Sequence, residues 1–164
     1  MMFDPVEICA VLIEERVDFV VLGGFAAIIH GSSLPTEDLD VIPARDDQNL
    51  ERLAKALRRM DARIRTGTEA VATKIDAAFI RNMPHMLNLS TRFGDMDLVF
   101  TPAGTVQGYD GWRERSRRAQ LREGLVVAVA DLDDVIASKV AANRPKDQRS
   151  LPYLESLRDQ IAEG

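Results

Sequence analysis

Apolar residues recur along the chain with two periods, and the switches between them lay out an ordered series of short helices and strands. Asp4 followed by Pro5 is a cap and first-turn pair, and Val6, Cys9, Ala10, Leu12 and Ile13 follow at helical spacing, which predicts an amphipathic helix running to Arg16. Phe19-Val20-Val21-Leu22 is a β-rich apolar run that stops at Gly23-Gly24. Phe25-Ala26-Ala27-Ile28-Ile29-His30 then reads as a short buried helix stopped by Gly31. After a polar loop over 32–37, Asp38-Leu39-Asp40-Val41-Ile42-Pro43 alternates acids with apolar residues, the period of a strand whose two carboxylates leave one face. Asp46 and Asp47 precede Leu50, Leu53, Ala54, Leu57 and Met60, a capped amphipathic helix with its basic residues late, as the helix dipole favours.

The next stretch, 62–82, holds no single period. It allows a strand at Arg63-Ile64-Arg65 and a short helix over 73–81. Met86 to Leu89 and Met96 to Phe100 read as two strands joined through Arg92-Phe93-Gly94-Asp95 as a hairpin, residues 109–120 as a basic helix, and Leu125 to Val129 as a final strand. Asp131 opens a helix to Ala142, and Pro145 introduces a terminal helical segment to Ala162. The order predicts an α+β fold with a mixed β-sheet flanked by helices. Residues 1–130 form an α/β core and residues 131–164 a C-terminal helical segment packed on it, a single domain overall.

Composition narrows the chemistry. With 164 residues, 46% hydrophobic and 29% charged, the chain buries a core without disulfides, and a disordered or low-complexity protein is excluded. One cysteine, Cys9, and two histidines, His30 and His85, leave too few soft ligands for a structural zinc site, so any metal is expected to be a hard ion held by carboxylates. A net charge of -5 argues against a surface that grips nucleic acid everywhere, while leaving room for a local basic patch. No apolar run approaches a membrane span, and Met1-Met2-Phe3-Asp4-Pro5 carries an acid where a secretion signal carries basic residues, so the expectation is a cytoplasmic protein with no membrane partner.

Two pieces of the pattern belong together. Paired glycines at a strand-to-helix turn, Gly23-Gly24, let backbone amides approach a phosphate, and the helix start that follows favours anions. Asp38 and Asp40, two apart on the next strand, project side by side and can bracket hard cations as two-metal phosphoryl-transfer sites do. A third acid completes such a site and takes a proton from an attacking hydroxyl. Asp97, flanked by Met96 and Leu98, is the candidate; Asp95 stands as its backup, with the hairpin turn as its expected place. Taken singly, a Gly-Gly after a strand is commonly a plain turn and Asp-Leu-Asp a solvated strand face.

Leu22-Gly23-Gly24, then Asp38-Leu39-Asp40-Val41, resembles the signature of the DNA polymerase β-like nucleotidyltransferase superfamily: an apolar residue, Gly and Gly or Ser, about a dozen residues, then Asp-apolar-acid-apolar. Within it, Gly23-Gly24-Phe25-Ala26, His30-Gly31, Thr36-Glu37-Asp38 and the segment from Ser138 through Lys139, Arg144 and Pro145 to Asp147 are similar to small toxins of type IV toxin–antitoxin (abortive infection) systems. The resemblance implies a nucleotidyltransferase-like fold and a magnesium-dependent enzyme that moves a nucleoside monophosphate from a triphosphate to an acceptor hydroxyl. Asp38, Asp40 and Asp97 would be the catalytic residues and would hold two Mg2+ ions; Gly23, Gly24, Lys139 and Asp147 would bind the nucleotide. An RNA end or a protein would be the acceptor, and a cognate antitoxin a partner. The alternatives are a nucleotide- or partner-binding module with little turnover, or an enzyme acting on an antibiotic or other small molecule. Gly24 departs from the many members that carry Ser there.

Several other residues have two readings. Lys139, mid-helix among Ile136, Ala137, Val140 and Ala141, either directs its ammonium to a triphosphate or snorkels to the surface. Asp147 either caps the last helical segment, pairs with Arg144, or approaches the nucleotide. His30 is expected to bond a loop carbonyl, and Thr36 to cap the loop before the strand. The run Arg113, Arg115, Arg117, Arg118 and Arg122 would set Arg113 and Arg117 on one helix face, solvated or in contact with RNA.

Overall fold

The computed structural model describes residues 2–67, 69–71 and 73–164. Met1, at the start of the segment weighed for an export signal, and Thr68 and Ala72, in the stretch without a clear period, lie outside them. The described residues form α1 (Pro5–Glu14), β1 (Phe19–Leu22), α2 (Gly23–Ile29), β2 (Asp38–Pro43), α3 (Asp47–Arg59), β3 (Arg63–Thr66), β4 (Glu69–Val71), α4 (Ala77–Arg81), β5 (Met86–Thr91), β6 (Gly94–Val99), α5 (Gly108–Arg115), β7 (Arg117–Arg122), β8 (Leu125–Val129), α6 (Leu132–Ala142) and α7 (Pro145–Glu163). Four helices start where an aspartate accepts a backbone N–H: Asp4 from Glu7, Asp46 from Asn49, Asp76 from Phe79 and Asp131 from Leu132. Each such cap offsets an orphan amide and stabilises its helix by about 1 kcal/mol.

The strands make one mixed sheet in the order β4-β3-β5-β6-β2-β1-β8-β7. β2 runs parallel to β6 and β1 parallel to β8, and the other neighbours are antiparallel. All four side chains of β1 are buried, as its central place requires. The main core joins α1 (Ile8, Leu12) and α3 (Leu50, Leu53, Leu57) to the sheet residues Leu39, Val41, Leu89, Met96 and Leu98. A smaller apolar cluster, Ala27, Leu132, Ile136 and Leu154, packs α2 against α6 and α7. No described helix is long and apolar enough to cross a membrane.

Three expectations need correction. The basic helix ends at Arg115: Ser116 is extended (φ -73°, ψ 162°), and its Oγ donates to the Arg113 carbonyl. From Arg117 onward the chain alternates, with Ala119 and Leu121 half-buried, and Gly124 at φ +78° closes the turn that pairs β7 antiparallel with β8. A ladder of backbone bonds to a central strand outweighs the helical preference of Arg, Ala and Gln, so Arg113 and Arg117 do not share a helix face. The β5–β6 turn is Arg92-Phe93, closed by the Thr91–Gly94 pair with the Thr91 hydroxyl bonded to both Phe93 N and Gly94 O, so Asp95 lies in β6 and not in the turn. The helix expected over 73–81 starts only at Ala77, after its Asp76 cap.

Candidate metal and nucleotide site

Register brings the acids together. In the parallel β2–β6 pair, Asp38 lies opposite Asp95 and Asp40 opposite Asp97, and alternation sends Asp38, Asp40 and Asp97 out on one face. One carboxylate oxygen from each lies within 4.8 Å of the others. This crowding has an electrostatic price. Burial and the charges of Asp38 and Asp97 push the Asp40 carboxyl up to about 7, and burial also raises Asp97, against the pull of Arg65. Three hard oxygen donors that repel one another when ionised suit a divalent cation such as magnesium, and among the described residues no soft ligand joins them.

The glycine turn stands against this cluster. Gly23 has φ +64°, and a Cβ there would run into the Asp40 carboxylate. A Cβ on Gly24 would lie 2.8 Å from Thr36 Oγ1, whose hydroxyl donates to the Asp38 carbonyl at 3.1 Å. Gly24 in place of Ser is therefore tied to Thr36: the threonine takes up the space a serine side chain needs. Thr36 holds the approach to β2 as expected, and His30 Nε2 sits 2.8 Å from the Ala130 carbonyl, fastening α2 to the end of β8.

A cavity of about 610 Å3 opens over the turn, lined by Gly23, Gly24, Asp38, Asp40, Lys139, Arg144 and Lys146, with Met86, Val99 and Trp112 on its apolar side. Lys139 thus reaches the site. Asp147 is fully buried behind it, with its carboxylate 2.8 Å from Arg144 Nε and 3.6 Å from Lys139 Nζ. Burial alone would raise the Asp147 carboxyl, but hydrogen bonds from Arg144 and the nearby Lys139 charge hold it below the usual carboxylate range. It also caps α7 in a reciprocal pair with Arg144. Asp97 adjoins Asp40 but is itself buried and does not line the cavity.

Sequence reasoning missed Arg144 and Lys146 as cations of the cavity wall, and it missed Arg65 beside the acids. From β3 the Arg65 guanidinium donates to Asp97 Oδ1 and to the Leu89 carbonyl, both at 2.7 Å, and lies 3.5 Å from Asp95. Alternation of Arg63 and Arg65 was readable, but only the β3–β5–β6 pairing shows which acid Arg65 meets.

The model of the family described as nucleotidyltransferase of unknown function (DUF6036) matches residues 7–161. The chain belongs to this family. Its fold is that of known nucleotidyltransferases. The lincosamide antibiotic adenylyltransferase LnuA in its lincomycin-bound structure matches with a TM-score of 0.62 at 12% identity, over 95% of this chain and 98% of that one. ANT(2'')-Ia in complex with adenylyl-2''-tobramycin matches with a TM-score of 0.55 at 12% identity, over 95% and 93%. No curated protein matches by sequence. The nucleotidyltransferase family and the α+β mixed sheet with C-terminal helices agree with the reading of the sequence; a toxin–antitoxin link finds no support among these relatives.

Proposed function

We propose that this family member transfers a nucleoside monophosphate from a nucleoside triphosphate to an acceptor hydroxyl and releases pyrophosphate. The convergence of Asp38, Asp40 and Asp97 beside the Gly23-Gly24 turn carries this reading. The three acids would hold two magnesium ions, which supply charge neutralisation to the triphosphate and acidify the attacking hydroxyl. The Gly23 and Gly24 backbone and the cations Lys139, Arg144 and Lys146 cradle the phosphates, and Asp147 keeps Lys139 and Arg144 directed at them. Arg65 occupies Asp97 Oδ1, which leaves Oδ2 to face the metal site and, beside it, to take the hydroxyl proton as the new O–P bond forms and the bond to pyrophosphate breaks.

Purified protein with magnesium, each labelled triphosphate in turn and a broad acceptor panel is expected to transfer label, and Asp40→Ala to reduce transfer by at least about a thousandfold. Equal, empty results for both proteins with all four nucleotides sink the enzyme reading. If nucleotide binds tightly with no transfer, the binding-module alternative takes its place.

Arg65 acts through Asp97. Arg65→Gln is expected to lower kcat by about 10- to 100-fold with the KM for the triphosphate nearly unchanged, and Arg65→Lys to restore part of it. A fall confined to KM contradicts this role.

For the acceptor, the toxin resemblance implied an RNA end or a protein, with an antitoxin as partner. The arginines that would meet RNA are spread over α5 and β7, and three are spent on acids: Arg115 on Asp134, Arg117 on Asp131 and Arg122 on Glu7. That supports a small-molecule hydroxyl, in keeping with the lincomycin and adenylyl-tobramycin held by similarly folded proteins. Growth arrest on expression, abolished by Asp38→Ala, would instead restore the toxin reading.

A further inference from the structure

Beside the metal-bearing cavity lies a second one of about 630 Å3, formed by the loop after β6, α5 and α6. The two share Ala103, Trp112 and Ser138 in their walls, so they are chambers of one cleft. We propose that this side chamber holds the acceptor and selects a compact, polyhydroxylated molecule that is neutral or carries a single positive charge. The inference rests on the nucleotidyl-transfer reading and adds the acceptor's place and class.

The division of charge between the chambers carries the argument. The metal-bearing chamber has Lys139, Arg144 and Lys146 in its wall against Glu37, Asp38 and Asp40, so it becomes cationic and takes the triphosphate once Asp38 and Asp40 hold metal ions. In the side chamber the one cation among the described residues, Arg115, is bound bidentate to buried Asp134 at 2.9 and 2.8 Å, a pair that neutralises itself. Glu114 makes no close ion pair among the described residues and feels Arg115 only at longer range, so the wall keeps one net negative charge. Thr105 and Ser138 offer hydroxyls without hydrogen bonds among the described residues, and the Gln107 amide reaches only the Thr105 carbonyl, at 3.4 Å. One free acid with several neutral donors and acceptors matches hydroxyl groups and at most one ammonium. A phosphate backbone would meet Glu114 with no free cation to offset it. The volume holds a molecule of about two sugar rings, and the wall shared with the metal-bearing chamber is where one of its hydroxyls would meet the triphosphate.

Trp112 makes the test direct. It is the chain's one tryptophan, it stands in the wall common to both chambers, and its buried Nε1–H has no partner among the described residues. Its emission should respond when either chamber fills. Three disaccharide-sized probes differ in charge: lactosamine (one ammonium), N-acetyllactosamine (neutral) and lactobionate (one carboxylate, with its second unit open-chain). Titrated into the full chain, lactosamine is expected to bind about fivefold more tightly than N-acetyllactosamine, with lactobionate weakest. Glu114→Gln should erase the fivefold preference. Ala137→Phe, which adds a ring at an exposed position of the chamber wall, should weaken both sugars at least about tenfold while magnesium–ATP affinity by calorimetry stays within about twofold. The inference is overturned if no probe binds, if lactobionate or a short RNA oligonucleotide binds best, or if Ala137→Phe leaves sugar binding intact. These results are distinct from failure of the nucleotidyl-transfer reading, which would show as no binding of any of the four magnesium–nucleoside triphosphates to the unaltered protein.

Discussion

Asp40→Asn is expected to stabilise the metal-free fold above neutral pH while abolishing transfer. The Asp40 carboxyl, raised to about 7 by burial and by Asp38 and Asp97, titrates near 4 in the unfolded chain. Folding therefore favours its protonated form. The penalty is absent below about pH 4, grows as pH rises towards 7, and is complete above that; stability of the metal-free protein falls over the same window. At about 1.4 kcal/mol per unit over about three units, the penalty at pH 8 is of the order of 4 kcal/mol. An amide in the same place removes the charge and the penalty together. Urea unfolding in EDTA should show wild type losing stability from pH 5 to 8 with Asp40→Asn much flatter, and the two proteins alike at pH 4. Magnesium should flatten the wild-type profile and leave the variant nearly unmoved, since a cation at the three acids offsets the same repulsion. A variant no more stable than wild type at pH 8 would mean that the acids do not crowd as described.

Gly23→Ala should cost more activity than any other one-methyl change near the site. Gly23 sits at φ +64°, where an alanine is strained, and the new Cβ would collide with the Asp40 carboxylate. Strain alone destabilises by about 1 kcal/mol; displacing Asp40 by a fraction of an ångström spoils the shared site and should lower transfer about a hundredfold. Gly124→Ala separates the two effects, because Gly124 has φ +78° with nothing within 4 Å of its Cβ position. It should lose similar stability and keep its activity. If both variants are equally active, the close approach of the turn to Asp40 has no catalytic meaning.

What was legible from the residues was local. Asp caps, the apolar run of β1, the alternation of Asp38 with Asp40, and the glycine turn between them are written within a few residues, and helix or strand period follows from where side chains must point. The candidate acids could thus be named from spacing alone. Where tertiary pairing competes with local preference, reading failed: Arg117-Arg118-Ala119-Gln120 looks helical, yet β8 offers it a ladder, and the Glu123-Gly124 turn that closes it was the missed signal. Asp95 is the same case in small, drawn into β6 by the two-residue turn before it.

The contacts between distant segments were decided only by the fold. Which acid lies opposite Asp40 is a matter of β2–β6 register; that Arg65 seizes Asp97 depends on three strands pairing in one order; that Asp147 withdraws from the cleft and holds Lys139 and Arg144 depends on how α7 leaves α6. A sequence sets the type and period of each side chain because these depend on neighbours along the chain. It does not display the partners of Asp97 or Asp147, because burial pairs charges across the fold, and only the packed structure settles which cation is near enough to meet a carboxylate removed from water.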